Sequence, residues 1–199
     1  RGHLQALQWL RAEGCPWDEK CCAAAAEGGH AEVLQHAARE GCPWDQWTCN
    51  RAAGAGQLAI LQWARAQGCP WDRSTAAAAC EGGHIDVLRW ARAEDPPCEW
   101  DESACALAAR GGHLEVLQWA HGQGCPWDVL TMCRIAAEGG HLEVLRWARE
   151  EGCPWDETTC SSAAGGGHLS TLRWAREHGC PWDASTCSSA AGGGDLSTL

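Results

Sequence analysis

Two residue types with reactive side chains recur at fixed spacing in this sequence, cysteine and histidine. There are fifteen Cys and nine His in 199 residues. Cys153 and Cys160 lie seven positions apart, as do Cys42 and Cys49, Cys98 and Cys105, and Cys180 and Cys187. Thiolates and imidazoles together are the donors of zinc sites, but a structural zinc takes four ligands, usually in Cys-x(2–4)-Cys pairs. The adjacent Cys21-Cys22 does not give that spacing, and Ala76 stands where other segments carry a Cys. No metal and no cofactor is therefore expected. A disulfide between the Cys seven apart is permitted by spacing. Fifteen Cys would suit a secreted disulfide scaffold, yet no signal peptide is visible and the count follows from the placement of two Cys in most segments. The expectation is reduced thiols packed as small hydrophobes in an intracellular protein of the cytoplasm or nucleus.

The histidines sit at His3, His30, His84, His113, His141 and His168, with Gln57 and Asp195 at the equivalent places. A strict ligand or general base would not tolerate those replacements. A group that satisfies backbone at the start of a helix would, and Asp is a good cap. The motifs G-x-S-x-G, P-loop and H-E-x-x-H are absent, and the carboxylates recur as caps or on solvated faces, as in the i, i+3 pair Glu143 and Arg146. No catalytic residue is identified, and the chain is not read as an enzyme.

The elements that must position these residues are copies of one segment, HLEVLRWAREEGCPWD at positions 141–156. The Trp that closes it recurs at Trp17, Trp44, Trp71, Trp100, Trp127, Trp155 and Trp182, in steps of 27, 27, 29, 27, 28 and 27. Small insertions fall at Asp95-Pro96-Pro97-Cys98-Glu99 and at Val129-Leu130-Thr131-Met132. Within the segment Leu142, Val144, Leu145, Trp147 and Ala148 form the apolar stripe of an amphipathic helix B. Gly152 supplies its left-handed cap, Pro154 blocks continuation, and Asp156 caps a short, small-residue helix A over 157–164. Stacking buries stripes that neither helix can bury alone, which is the logic of a solenoid. Trp147 and its equivalents are expected to bury roughly 150–250 Å² each.

This unit resembles an ankyrin repeat. Thr158, Thr159, Cys160, Ser161, Ser162, Ala163 and Ala164 lie against that family's Thr-Pro-Leu-His-x-Ala-Ala. Gly140, His141, Glu143, Val144, Leu145, Trp147, Ala148, Gly152 and Cys153 follow its Gly-His-x-Glu-Ile/Val-Val-x-Leu-Leu-Leu-x-x-Gly-Ala in register. The repeat is about six residues shorter than the family's 33, and Cys-Pro-Trp-Asp replaces the β-hairpin finger. The chain is similar to the shortened, Trp-rich ankyrin-like arrays of large DNA viruses and unicellular algae. The resemblance implies an all-α solenoid of helix–turn–helix repeats without that finger. It is one array: a half repeat at 1–17, full repeats at 18–44, 45–71, 72–100, 101–127, 128–155 and 156–182, and a half repeat at 183–199. A fragment of a longer chain is expected.

Net charge is −11. That disfavours nucleic acid, whose phosphates need a basic footprint, and an anionic membrane. No apolar run approaches the ~18–20 residues of a membrane span. What varies between repeats is free of packing and available for recognition. By the resemblance, helix A lines a concave face. Its distinctive residues are Trp47, Asn50, Arg51, Arg73 and Arg134, with Glu19, Lys20, Gln46, Ser74, Val129, Leu130 and Ile135 also variable. The expected function is non-catalytic binding of a protein partner by a monomeric module. The alternatives are a substrate adaptor whose effector domain lies elsewhere, or a metal or redox protein using the Cys.

Overall fold

The computed structural model describes residues 3–193. The chain divides into two compact units, residues 1–100 and 101–199, and the division falls between the third and fourth full repeats. The first unit holds α1 (Leu4–Ala12), α2 (Glu19–Glu27), α3 (Ala31–Arg39), α4 (Gln46–Gly54), α5 (Leu58–Ala66), α6 (Arg73–Gly82) and α7 (Ile85–Ala93). The second holds α8 (Glu102–Gly111), α9 (Leu114–Gly122), α10 (Met132–Glu138), α11 (Leu142–Glu150), α12 (Glu157–Gly165), α13 (Leu169–Glu177) and α14 (Ala184–Gly193). Even-numbered helices are helix A of their repeats and odd-numbered ones helix B. In each unit the even helices stack side by side, and each odd helix after α1 packs on the even helix before it. Each unit is thus a short α-solenoid, with no strand among the described residues.

Local chemistry sets the helix bounds. The carboxylate of Asp45 accepts the Trp47 N–H at 2.9 Å, and Asp18, Asp72, Asp101 and Asp156 accept equivalent bonds. At the other end Gly152 adopts φ +83°. Its N–H reaches Arg149 O at 3.1 Å, and the Cys153 N–H reaches Ala148 O at 2.9 Å. These two bonds make a Schellman motif, which requires the left-handed conformation that glycine adopts without a Cβ clash. The two insertions are absorbed in turns. The first ends α7 in extended backbone at Glu94. The second shortens α10 to seven residues and leaves Leu130 exposed.

The core is built mostly from small residues, with tryptophan at its edge. Helix A buries Ala, Cys and Thr, and helix B buries Leu34, Leu61, Leu88, Leu117 and Leu145, each 0% exposed. Trp147 is 9% exposed, but Trp9 is 62% exposed, and Trp63, Trp90, Trp119 and Trp174 are half-buried. Ala-lined helices stacked this closely leave no room between them for an indole. The indoles instead form a seam over the exit turns. Arg65 donates to Cys69 O at 2.5 Å while its guanidinium lies 4.2 Å from the Trp71 ring centre. Trp71 in turn lies 5.6 Å from Trp90 of the next repeat. Arg92 with Trp100, Arg149 with Trp155 and Arg176 with Trp182 repeat the stacking. His121 takes the arginine's place beside Trp127, at 4.3 Å, and Ala38 takes it in the repeat 18–44.

The marker histidines do not cap helix B with their side chains. Nε2 of His84 lies 3.1 Å from Gly54 O, that of His141 2.7 Å from Arg110 O, and that of His168 3.0 Å from Glu138 O. A carbonyl only accepts, so Nε2 carries the proton and ties helix B to the end of the preceding repeat's helix A. The ring fills the space over a glycine: a Cβ on Gly112 would meet His141 Nδ1 at 2.3 Å. Gln57 puts its amide in the same place over Gly29, so a glutamine serves there. Asp195 lies outside the described residues.

Candidate functional site

The exposed face of the first unit's even helices carries two adjoining grooves. The first, about 410 Å³, runs between α2 and α4 and is lined by Glu19, Lys20, Ala23, Ala24, Glu27, Trp47 and Arg51. The second, about 350 Å³, continues to α6 and is lined by Glu27, Trp47, Asn50, Arg51, Gly54, Ala55, Ala78, Glu81 and Gly82. Small residues on α2, α4 and α6 form the floors because a larger side chain would part the stacked helices. A Cβ on Gly82, for example, would stand 2.3 Å from Gly54 O.

A three-residue ridge separates the grooves. Trp47 is 53% exposed, an unusual state for a large apolar side chain on a framework of buried alanines. The Arg51 guanidinium sits 5.3 Å from its ring centre and 3.2 Å from Glu27 Oε1 on the neighbouring helix. The contact holds the indole upright without covering it. Both members of the Arg51–Glu27 pair are about half exposed, so it contributes geometry more than stability.

Of the residues singled out from sequence, Trp47, Asn50 and Arg51 are brought together here. Asn50 has a packing role as well: its Nδ2 donates to Ser74 Oγ at 2.7 Å, and its Oδ1 accepts from Thr75 Oγ1 at 2.6 Å, joining α4 to α6. Arg73 opens α6 and is not among the residues lining the two grooves. Arg134 belongs to the second unit, where it pairs with Glu138 at 3.3 Å on its own helix. Glu27 and Ala24 were missed by sequence reasoning. The signal was there, since Arg51 to Glu27 and Asn50 to Ser74 both span 24 residues, as does every described bond from a turn Cys to the Asp of its own repeat, except Cys98 to Asp72 across the insertion.

The cysteines are arranged differently from the seven-residue spacing suggested by sequence. All fifteen are free thiols. A helix A Cys meets the turn Cys twenty positions later, at the exit of its own helix B. Cys49 Sγ donates to Cys69 O at 3.9 Å, and Cys133 Sγ to Cys153 O at 3.6 Å. The turn thiols bond instead to backbone at the head of helix A: Cys42 Sγ donates to Asp18 O, Cys69 Sγ to Asp45 O and Cys180 Sγ to Asp156 O, each at 3.4 Å. The neighbouring Cys49 thiol holds Cys69 below the usual thiol range, and the Cys180 thiol does the same for Cys160. Burial first, and then the hydrogen bond to Cys42, pushes Cys22 up. Burial pushes Cys98 up to about 11 and Cys133 up to about 12.

The fold is similar to that of the ankyrin repeat domain of human ASB11, at 15% sequence identity over 80% of this chain and 84% of that chain, with a TM-score of 0.56. No protein-family model matches the sequence, and no curated protein matches it. No helix among the described residues is long and apolar enough to cross a membrane.

Proposed function

We propose that the chain is a non-catalytic protein-binding module, and that the first unit's even-helix face receives the partner at the Trp47–Arg51 ridge. The observation that carries this reading is the exposure of Trp47 between two grooves floored by small residues and walled by charged ones. Trp and Arg are over-represented among the residues that dominate binding energy, because each covers much area or forks several hydrogen bonds. Alanine floors let a partner's side chains descend beside the indole. The shared fold with an ankyrin repeat domain supports an interaction role, and the net charge of −11 favours a protein partner over nucleic acid. Trp47 and Arg51 are the principal contacts, Asn50 positions α4 against α6, and Arg73 and Arg134 are peripheral. The module acts as a monomer. A role as the recognition part of a larger adaptor fits the same surface.

The test is affinity capture from source cells with quantitative mass spectrometry. The wild-type chain is compared with Trp47→Ala/Arg51→Glu and with Arg89→Glu, an exposed change on helix B. Proteins retained by wild type and by Arg89→Glu but lost by the double variant support the site. Equal retention by all three places recognition on another surface.

A further inference from the structure

We propose that the Trp44 ring and the Cys42 carbonyl form an acceptor site for an arginine side chain of a protein partner. The site lies on the seam of exit turns, and neither residue lines the grooves beside Trp47. The repeats themselves show what fits. Five described arginines of helix B each lay a guanidinium over the Trp of their own exit turn. The distance to the ring centre is 4.1 Å at Trp17, 4.2 Å at Trp71, Trp100 and Trp155, and 4.0 Å at Trp182. Each of these guanidinium groups also donates to the carbonyl of its turn Cys. Arg11 reaches Cys15 O at 2.7 Å, Arg65 reaches Cys69 O at 2.5 Å, Arg92 reaches Cys98 O at 2.6 Å, and Arg149 and Arg176 bond Cys153 O and Cys180 O. A ring face and a carbonyl thus make a two-point receptor for one planar cation.

The repeat 18–44 has the same receptor without its cation. Ala38 stands six positions before Trp44, where Arg65 stands six before Trp71. A methyl group cannot span to the ring. Among the described residues no guanidinium lies over Trp44, and none donates to Cys42 O. The turn is nevertheless built alike. Gly41 adopts φ +77° and Gly68 φ +83°. The Gly41 N–H reaches Ala38 O at 3.2 Å and the Cys42 N–H reaches Ala37 O at 2.9 Å, against 2.9 and 3.0 Å for the matching bonds of Gly68 and Cys69. Trp44 meets Trp63 of the next repeat at 5.7 Å between ring centres, as Trp71 meets Trp90 at 5.6 Å. Both halves of the receptor are therefore in place before a ligand arrives.

The seam is grooved between successive odd helices. A groove of about 350 Å³ between α1 and α3 has Arg11 in its wall, and one of about 480 Å³ between α11 and α13 has Arg149. Ala38 holds that repeat position between α3 and α5, which removes the wall. Arginine suits the site better than lysine, because guanidinium is planar, weakly hydrated and stacks on indole. A protein supplies it better than the free amino acid does, because a peptide-borne arginine brings no carboxylate to a chain of net charge −11.

The experiment titrates the folded, isotope-labelled chain with acetyl-Gly-Arg-Gly amide at constant ionic strength and follows the indole N–H resonances by NMR. Trp44 is expected to shift saturably, while Trp71 and Trp155 stay put under their own arginines. The lysine peptide, and the citrulline peptide that keeps the shape without the charge, should each bind at least about tenfold more weakly. Two variants, each with unchanged circular dichroism, complete the test. Ala38→Arg should abolish the Trp44 response by supplying the guanidinium from within the chain. Arg65→Ala should give Trp71 a response of its own. The proposal is overturned if Trp44 does not shift, if Trp71 and Trp155 shift alongside it, if Ala38→Arg leaves the response intact, or if Arg65→Ala leaves Trp71 silent. A response confined to Trp47 would assign the arginine to the ridge and overturn this site as well. Loss of the ridge in the capture experiment would leave the Trp44 result standing, so the two readings fail separately.

Discussion

Helices α4 and α12 hold the same place in their repeats, one in each unit, and differ almost only where they face solvent. The first reads QWTCNRAAG and the second ETTCSSAAG. Four residues are buried in each, Thr48, Cys49, Ala52 and Ala53 in one and Thr159, Cys160, Ala163 and Ala164 in the other, and the two sets are identical in type. Stacking dictates those four. The solvent side is Trp47 and Arg51 in α4 against Thr158 and Ser162 in α12. One framework therefore carries two faces, a sculpted ridge and a low polar one. Asn50 is the exception that joins framework to face. It supplies the acceptor for Thr75, whereas Thr48 and Thr186 keep buried hydroxyls without a partner. Ala23 stands where Asn50 would serve Thr48, and Ser161 is too short to serve Thr186.

If the framework is shared, equal injuries to it must cost the same in both units. Leu61 and Leu145 are equivalent and fully buried. Leu61→Ala and Leu145→Ala should each destabilise by roughly 2–5 kcal/mol, the transfer and cavity cost of a core leucine. Urea unfolding of the two variants checks this. A large cost in one unit alone would break the equivalence.

Alkali should then act on both units through their buried thiols. Cys98 in the first unit is pushed up to about 11 and Cys133 in the second to about 12, from an ordinary value of 9.0. Between 9 and those values the unfolded chain loses a proton that the folded chain keeps. Stability is full below pH 9 and falls as pH rises, by roughly 1.4 kcal/mol per pH unit for each such thiol. Thermal melts from pH 8 to 11 should show the decline, and Cys133→Ala or Cys98→Ala should each flatten it. An unaltered slope in both variants would assign the alkaline loss to other groups.

The third effect is smaller and one-sided. Asn50→Ala removes two inter-helix bonds and leaves Thr75 Oγ1 unsatisfied, at a cost of about 1–3 kcal/mol. Ser161→Ala, at the matching position of α12, removes a bond from Ser161 Oγ to Thr158 O within its own helix and should cost less than about 0.5 kcal/mol. Equal costs would mean that Asn50 belongs wholly to the face.

What could be read in the sequence follows the same division. Anything tied to one residue and its near neighbours was legible: the Asp caps, the Gly152 exit turn, the helix periods and the repeat length. Anything fixed by the spacing between repeats was not. The histidines looked like caps because they stand at the N-cap position, but their rings reach a carbonyl about thirty residues back. The cysteines seven apart are close in the chain and not the pairs that meet. The tryptophans have the hydrophobic period of core residues, and only the close approach of alanine-lined helices moves them outward. At the candidate site, Trp47, Asn50 and Arg51 were found by variation alone, while Glu27 required the 24-residue neighbour rule.

The smallest effect on stability should accompany the largest effect on binding. Replacing the ridge of α4 by the residues of α12, as Trp47→Thr/Arg51→Ser, removes an indole already 53% exposed and an ion pair with both partners about half exposed. Such a pair is worth ~0–1 kcal/mol. A threonine after Asp45 can bond the capping carboxylate as Thr158 bonds Asp156, which returns part of the loss. The net change should lie within about 0.5 kcal/mol, while retention of the partner falls about tenfold or more. The ratio of the two effects is what separates face from framework. An unfolding midpoint that moves as far as it does in Leu61→Ala would make Trp47 a packing residue, and exposure on this face would no longer mark recognition. The reciprocal graft, Thr158→Trp/Ser162→Arg, asks whether the ridge works by itself. Retention of the same partner by a chain carrying the ridge only on α12 would show that the indole and guanidinium are sufficient. Failure to retain it would show that Glu19, Lys20 and Glu27, the groove wall contributed by α2, are part of what is recognised.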